Sequence, residues 1–204
     1  MKKILVVLFL IFAPTAFAEG QLLCDEGFEL STPNGTFPDS GCWNRCTSGG
    51  EAGAVCTTTA AHGGNNGLWE YTGDFITGWW SGPSQEIGAG PGEVYRAYCW
   101  IRSDTSLGGD EGWVPGSKAF ARVCFLSNPS PPGRCNDNII QCYESPALTT
   151  ERTPWGQYEV TTLPAPGGTS HVQLMLRLEK PQGTVGQSIV NFDDCFLEKV
   201  VITP

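Results

Sequence analysis

The chain's last apolar run, Val190-Asn191-Phe192-Asp193-Asp194-Cys195-Phe196-Leu197, is broken by two acids that strand alternation does not ask for. Gly27-Phe28-Glu29 lies near the opposite end. Ca²⁺ takes about six to eight hard oxygen ligands, so a carboxylate from each terminal segment plus backbone carbonyls from a Gly-rich loop would suit it. The pairing points to termini joined around a cation. The alternative is that Asp193 and Asp194 form a solvated turn and Glu29 is an exposed strand residue.

Seven Trp are the second source of chemistry. Sugars present flat C–H faces that pack on indole rings, and their hydroxyls take bidentate partners such as Arg, Asn, Gln and Asp. Strand alternation from Glu93 to Arg102 puts Tyr95, Ala97, Cys99 and Ile101 on one face, as core, and Arg96, Tyr98, Trp100 and Arg102 on the other. The second set is a candidate glycan platform, or a surface covered by a loop. Its two arginines favour a uronic or sulfated polysaccharide, because guanidinium matches planar oxyanions. Trp69, sharing a face with Tyr71, is a further candidate. So are Trp79-Trp80, flanked by Gly78 and Gly82, and Trp113 in a Gly-rich loop.

Catalytic readings have less to stand on. The only histidines are His62 and His171, and there is no nucleophile elbow, His-Glu-x-x-His motif or phosphate-cradling loop. Glu70, Asp74, Asp104, Asp110 and Glu111 leave a two-carboxylate glycosidase open. A polysaccharide lyase using Tyr, Arg and His is also open.

The elements that would position these residues are short strands. Lys2 and Lys3, an apolar run to Ala13 and Ala16-Phe17-Ala18 read as a secretory signal peptide over residues 1–18, leaving one domain over 19–204 outside the cell or in the periplasm. Removing it takes away two lysines and no acid, moving the formal charge from −9 to −11. So acidic a chain argues against nucleic acid as a partner, and no later segment is apolar enough for membrane insertion. All nine cysteines lie after residue 18, where an exported chain forms disulfides. The odd one is a free thiol or an intermolecular bridge. Cys42-x3-Cys46 lacks the second pair of a zinc site.

With 26 Gly and 15 Pro and no sustained 3.6-residue period, the chain reads as all-β. Strands are expected at Leu22–Leu30, 67–71, 93–102, 119–126, 158–163, 171–179 and 190–197. Those at 119–126, apolar on both faces, should be central. Val172, Leu174, Leu176 and Leu178 should point inward, with His171, Gln173, Met175, Arg177 and Glu179 outward. Residues 32–64 and 128–145 read as irregular, cysteine-bearing pieces. Two antiparallel sheets packed face to face, a disulfide-rich jelly-roll sandwich, is the expected architecture.

The order of motifs resembles the carbohydrate-binding modules of the family four, nine and twenty-two type. The resemblance rests on Cys24-Asp25-Glu26-Gly27-Phe28-Glu29, Gly41-Cys42-Trp43, Ala61-His62-Gly63-Gly64-Asn65-Asn66-Gly67-Leu68, Ser84-Gln85-Glu86-Ile87, Pro91-Gly92-Glu93-Val94-Tyr95, Ala97-Tyr98-Cys99-Trp100-Ile101-Arg102, Trp155-Gly156-Gln157-Tyr158 and Phe192-Asp193-Asp194. It spans nearly all of residues 24–198. It implies a galactose-binding-like jelly roll, a structural Ca²⁺ joining the terminal strands, and a glycan along a concave sheet face or loop-built cleft. Glu29 and Asp193 would then be side-chain metal ligands, Gly27 a carbonyl ligand and the turn at His62 a source of another, with Trp43 and Trp155 as packing aromatics. The cysteines and the 128–145 insertion depart from that pattern. Cys24 with Cys195, and Cys135 with Cys142, are the pairings expected. The function implied is non-catalytic binding of a polysaccharide. The alternative is a structural or adhesive subunit of an extracellular assembly.

Overall fold

The computed structural model describes residues 16–18, 20–31, 41–44, 46, 52–73, 79–103, 111–131, 135, 137–151 and 154–202. Twelve strands run in chain order: β1 Ala16–Ala18, β2 Gly53–Thr57, β3 Gly67–Tyr71, β4 Trp79–Ser81, β5 Ser84–Gly88, β6 Val94–Ser103, β7 Glu111–Gly112, β8 Lys118–Leu126, β9 Ile139–Glu144, β10 Gly156–Thr161, β11 His171–Lys180 and β12 Gln187–Ile202. The only helical turn among the described residues is a 3₁₀ turn, Thr58–Ala60. No helix among them is long and apolar enough to cross a membrane.

Two sheets result. The first runs β10-β6-β12-β3-β2, with β1 and β7 also on β12; the second runs β4-β11-β8-β9, with β5 on β11. All pairs are antiparallel except the short β7–β12 pair. Alternation decides which side chains meet between the sheets. From β6 come Tyr95, Ala97, Cys99 and Ile101, and from β12 Val190, Phe192 and Leu197. They pack on Ala121, Val123 and Phe125 of β8 and Val172, Leu174, Leu176 and Leu178 of β11. β8 is central, as its apolar faces require.

The expected strand at Leu22–Leu30 does not form. Asp25 (φ 51°) and Phe28 (φ 57°) adopt left-handed backbone, which an extended strand cannot contain. Phe28 turns inward to stack on buried Trp43, whose indole N–H donates to the Asp25 carbonyl at 3.0 Å. The segment is tied to β12 without being a strand. Leu22 N donates to Leu197 O at 2.8 Å and Cys195 N to Glu26 O at 3.0 Å. Just before this segment, Ala16–Ala18 pairs with Val200–Ile202.

Both disulfide expectations are overturned. The bridges are Cys24–Cys42, Cys46–Cys135, Cys99–Cys195 and Cys124–Cys142. Asp194 (φ 45°) sits in a register shift between Asp193 and Phe196 that turns Cys195 inward onto β6, where Cys99 faces it. Cys142 lies opposite Cys124 in the β8–β9 ladder. The ninth cysteine, Cys56, is outside the bridges and 1% exposed, so it is not placed to link two molecules. Four bridges fit an oxidising compartment.

The two pieces expected to be irregular each contain a strand, β2 and β9. β9, the strand within 128–145, extends the second sheet and pairs with β8.

Candidate functional site

The loop from Ala61 to Asn66 gathers the acids from both ends of the chain. Its backbone amides at His62 and Gly63 donate to Asp193 Oδ2 at 2.6 and 3.1 Å, and those at Asn65 and Asn66 donate to Glu29 Oε1 at 2.7 and 2.9 Å. Gly64 is left-handed at φ +66°, and a Cβ there would land on the Glu29 carboxylate. Burial lifts the Asp193 carboxyl to a pKa of about 6, against the pull of the His62, Asp194 and Gly63 amides. Asp194 instead points to the surface, where its Oδ2 lies 2.8 Å from His62 Nδ1.

Between these groups lies a pocket lined by Asp25, Glu26, Gly27, Glu29, Gly63, Gly64 and Asp194, among others. Gly27 borders its acidic corner. A Cβ on Gly27 would fall 3.6 Å from Asp194 Oδ1, 3.7 Å from Asp193 Oδ1 and 3.8 Å from the Glu29 side chain. That space, bordered by carboxylates and left open by a glycine, fits a hard cation in charge and donor type. Among the described residues no three His, Cys, Asp or Glu side chains stand as a closed metal cluster. Carbonyls and water would have to complete any shell. Hydrogen bonds alone already join the termini, and the carboxylates have amide partners.

The outer face of the first sheet carries the aromatic residues. By register, Arg102, Asn191, Trp69 and Val55 form one row, Gln157, Trp100 and Asp193 the next, Glu159, Tyr98 and Phe196 a third, and Thr161, Arg96 and Glu198 a fourth. Trp69 and Tyr71 lie 4.9 Å apart between centroids, and Tyr98 stacks on Phe196 at 5.1 Å. The His62 ring stacks on Trp100 at 4.3 Å and meets Trp155 edge-on at 5.2 Å. Arg102 lies 4.7 Å over the Trp155 ring and donates to Thr59 O at 2.7 Å. Arg96 pairs with the nearly buried carboxylate of Glu198.

So Arg96, Tyr98, Trp100, Arg102 and Trp69 do share one half-exposed face, as alternation requires. Three other candidates lie elsewhere. Trp79 and Trp80 are on β4, pairing with Lys180 and Glu179 of the second sheet, and their side chains lie outside the described residues. Trp113 is half-buried, packs in part against the core and donates to Thr149 O at 3.3 Å. Trp155, expected as core, is instead half-buried at the platform edge. Of the acids, Glu70 is fully buried; Asp74, Asp104, Asp110 and the Glu111 side chain lie outside the described residues.

On the second sheet the middle of β11's outward row is closed off, while His171 and Glu179 at its ends are half-buried. Gln173 and Met175 are fully buried and Arg177 nearly so. Met175 clusters with Cys46 and Cys135, so that bridge covers it. Gln173 Nε2 donates to Glu86 at 2.7 Å, while its Oε1 is buried without a protein partner. Arg177 donates to Glu179 at 2.7 Å; burial holds its guanidinium pKa below the usual value.

No protein-family model matches the chain and no curated protein matches it. Solved structures do. One is the module TmCBM61 in complex with β-1,4-galactotriose, at 19% identity over 87% of this chain and 97% of that one, TM-score 0.51. Another is the CBM22-1 xylan-binding domain of Xyn10C from Paenibacillus barcinonensis, at 12% identity, 88% and 94% coverage, TM-score 0.53. The chain shares the two-sheet sandwich fold of these modules. A Stig cyclase, Fisc from Fischerella sp. TAU, shares it at 17% identity, 92% and 100% coverage and TM-score 0.60, so the fold also carries enzymes.

Besides Trp155, two members of the aromatic face escaped the sequence reading. Phe196 belongs to the outer face only because the Asp194 bulge resets alternation; a left-handed Asp is a permitted bulge residue, and the Asp193-Asp194 pair was the available signal. The His62 ring reaches Trp100 from a loop, and no periodicity reports such a contact.

Proposed function

We propose that this is a non-catalytic carbohydrate-binding protein whose glycan lies on the outer face of the first sheet, over Trp69, Tyr71, Tyr98, Trp100 and Trp155. The observation that supports it most is the concentration of half-exposed rings on an open sheet face. Folding gains nothing from leaving so many rings partly wet, whereas stacking on sugar rings uses them. The guanidinium of Arg96 is matched by Glu198 and that of Arg102 by Thr59 O and the Trp155 ring, with exposed Glu159 nearby. A neutral polysaccharide fits this face better than a uronic or sulfated one. The terminal pocket, with Glu29, Asp193 and Asp194, would hold a structural Ca²⁺ that reinforces the joined termini. Export with removal of residues 1–18 accords with the four disulfides, and would take β1 away from β12.

A second reading is supported by the buried Gln173 Oε1, which has no protein partner. Together with Glu86 and Arg177 it would be a polar floor for a glycan on the second sheet, reached only where the Cys46–Cys135 cover opens. The test is a pull-down of the oxidised protein on insoluble neutral and acidic polysaccharides, with Trp100→Ala and Gln173→Ala beside the wild type. Retention on a neutral polysaccharide, lost in the folded Trp100→Ala protein, is expected. Loss in Gln173→Ala alone moves the site to the second sheet, and a folded protein left in every supernatant ends the carbohydrate reading.

A further inference from the structure

The His62 side chain links the aromatic face to Asp194, a carboxylate of the terminal pocket. Its ring lies flat on Trp100 at 4.3 Å, with the planes 16° apart, so one face of that indole is covered. Its Nδ1 lies 2.8 Å from Asp194 Oδ2. The other oxygen of that carboxylate, Oδ1, borders the space beside Gly27, and Asp194 lines the pocket. The His62 amide meanwhile donates to Asp193 Oδ2, which fixes the backbone and leaves the ring as the movable part. A carboxylate that coordinates a hard cation gives up electron density and turns its oxygens toward the ion, so the contact with an imidazole at its edge weakens.

Resting on the calcium and glycan readings above, we propose that His62 is a positioning residue for Trp100, holding its indole capped while Asp194 is free and releasing it when a divalent cation draws Asp194 into the terminal pocket. Cation loading then acts on the glycan face through one ring and one carboxylate, without rearranging either sheet. Trp100 is its reporter.

The experiment is a Ca²⁺ titration of the chelator-treated, oxidised protein, read by tryptophan emission and by thermal melting in parallel. Wild type, His62→Phe, His62→Ala and Trp100→Phe are compared. Wild type should melt higher with Ca²⁺ and its emission should move to the red as Trp100 loses its cap. His62→Phe keeps a ring for the stack but cannot bond Asp194, so its emission should stay put. His62→Ala should be red-shifted from the start and equally indifferent. Trp100→Phe should lose the shift, which locates it. All three variants should still melt higher with Ca²⁺, since Glu29, Asp193 and Asp194 are intact. A rise in melting temperature with no wild-type emission change overturns the coupling and leaves the calcium site standing; so does an emission change that His62→Phe retains. A protein indifferent to Ca²⁺ in both readouts overturns coupling and calcium site together, and the polysaccharide pull-down in chelator then judges the glycan reading by itself.

Discussion

On β6 and on β11 the residues facing away from the core alternate with an apolar row in the same way, yet their fates differ. Arg96, Tyr98, Trp100 and Arg102 stay half-exposed, while Gln173, Met175 and Arg177 are closed off from solvent. Alternation chooses the face; what lies on the face chooses exposure. Over the second sheet the cover includes a disulfide joining positions 89 residues apart, packed on Met175. Among the described residues, the first sheet is met by the 61–66 loop, whose His62 lies on Trp100 of β6, and by Trp155. A buried Arg and Gln cost free energy unless paired, and Arg177 has Glu179. Gln173 has half its amide paired; on the first face the Trp69 indole N–H and the Nε atoms of Arg96 and Arg102 are likewise buried without a protein partner, so both faces carry such a cost.

The largest effect should come from a position behind both faces. Glu70 points inward from β3, fully buried, with neither carboxylate oxygen hydrogen-bonded at ordinary length. Burial raises its pKa to about 8, opposed by Ser81, Arg177 and the Leu178 backbone. In the unfolded chain it titrates at the ordinary value near 4.5. The folded state therefore holds a proton the unfolded state releases, and its contribution is fully present below about pH 4.5 and lost as pH rises through about 8. At about 1.4 kcal/mol per pH unit the swing approaches 4–5 kcal/mol as an upper bound. Glu70→Gln should flatten the stability–pH profile and exceed wild type in alkaline urea melts. Parallel profiles for the two proteins would remove the buried acid as the cause.

A change confined to the second face comes next. Replacing Cys46 and Cys135 together by Ala releases a loop of 89 residues, for which chain entropy gives about 4–5 kcal/mol, often less in practice. Met175 is the sole methionine after Met1, so its oxidation by peroxide reports the cover directly. Mass spectrometry should show Met175 protected in wild type and oxidised in the double mutant while it remains folded. Equal protection in both would mean the bridge is not what closes this face. Binding to neutral polysaccharide should survive the mutation if the glycan lies on the first sheet.

These two faces also mark how far the sequence could be read. The strands at 67–71, 93–102, 119–126 and 171–179 were legible because alternating apolar residues carry their own period. The expected first strand failed because Asp25 and Phe28 take left-handed backbone, which hydrophobicity does not encode. Disulfide partners depend on the Asp194 bulge and on sheet order, both long-range facts. Glu29 and Asp193 were found as a pair from residue type and position. That the 61–66 loop would hold both with its amides was not readable, since backbone donors have no letter in the sequence.

The smallest effect on stability, and the sharpest on function, is expected at Trp100. Its indole is half-buried between His62 and the sheet, and β9 lies on the other sheet, so Trp100→Ala should cost about 1–2 kcal/mol rather than the 3–5 of a fully buried ring. His62 would lose its stacking partner but keep Asp194, and the terminal pocket should be unaffected. Melting and polysaccharide retention measured on the same preparation separate the roles. Modest destabilisation with lost retention places the glycan on this face. A loss near 4 kcal/mol, with the residual folded fraction binding as wild type does, would make Trp100 a packing residue and leave β4, with Trp79 and Trp80 beside Glu179 of the second sheet, as the place to look.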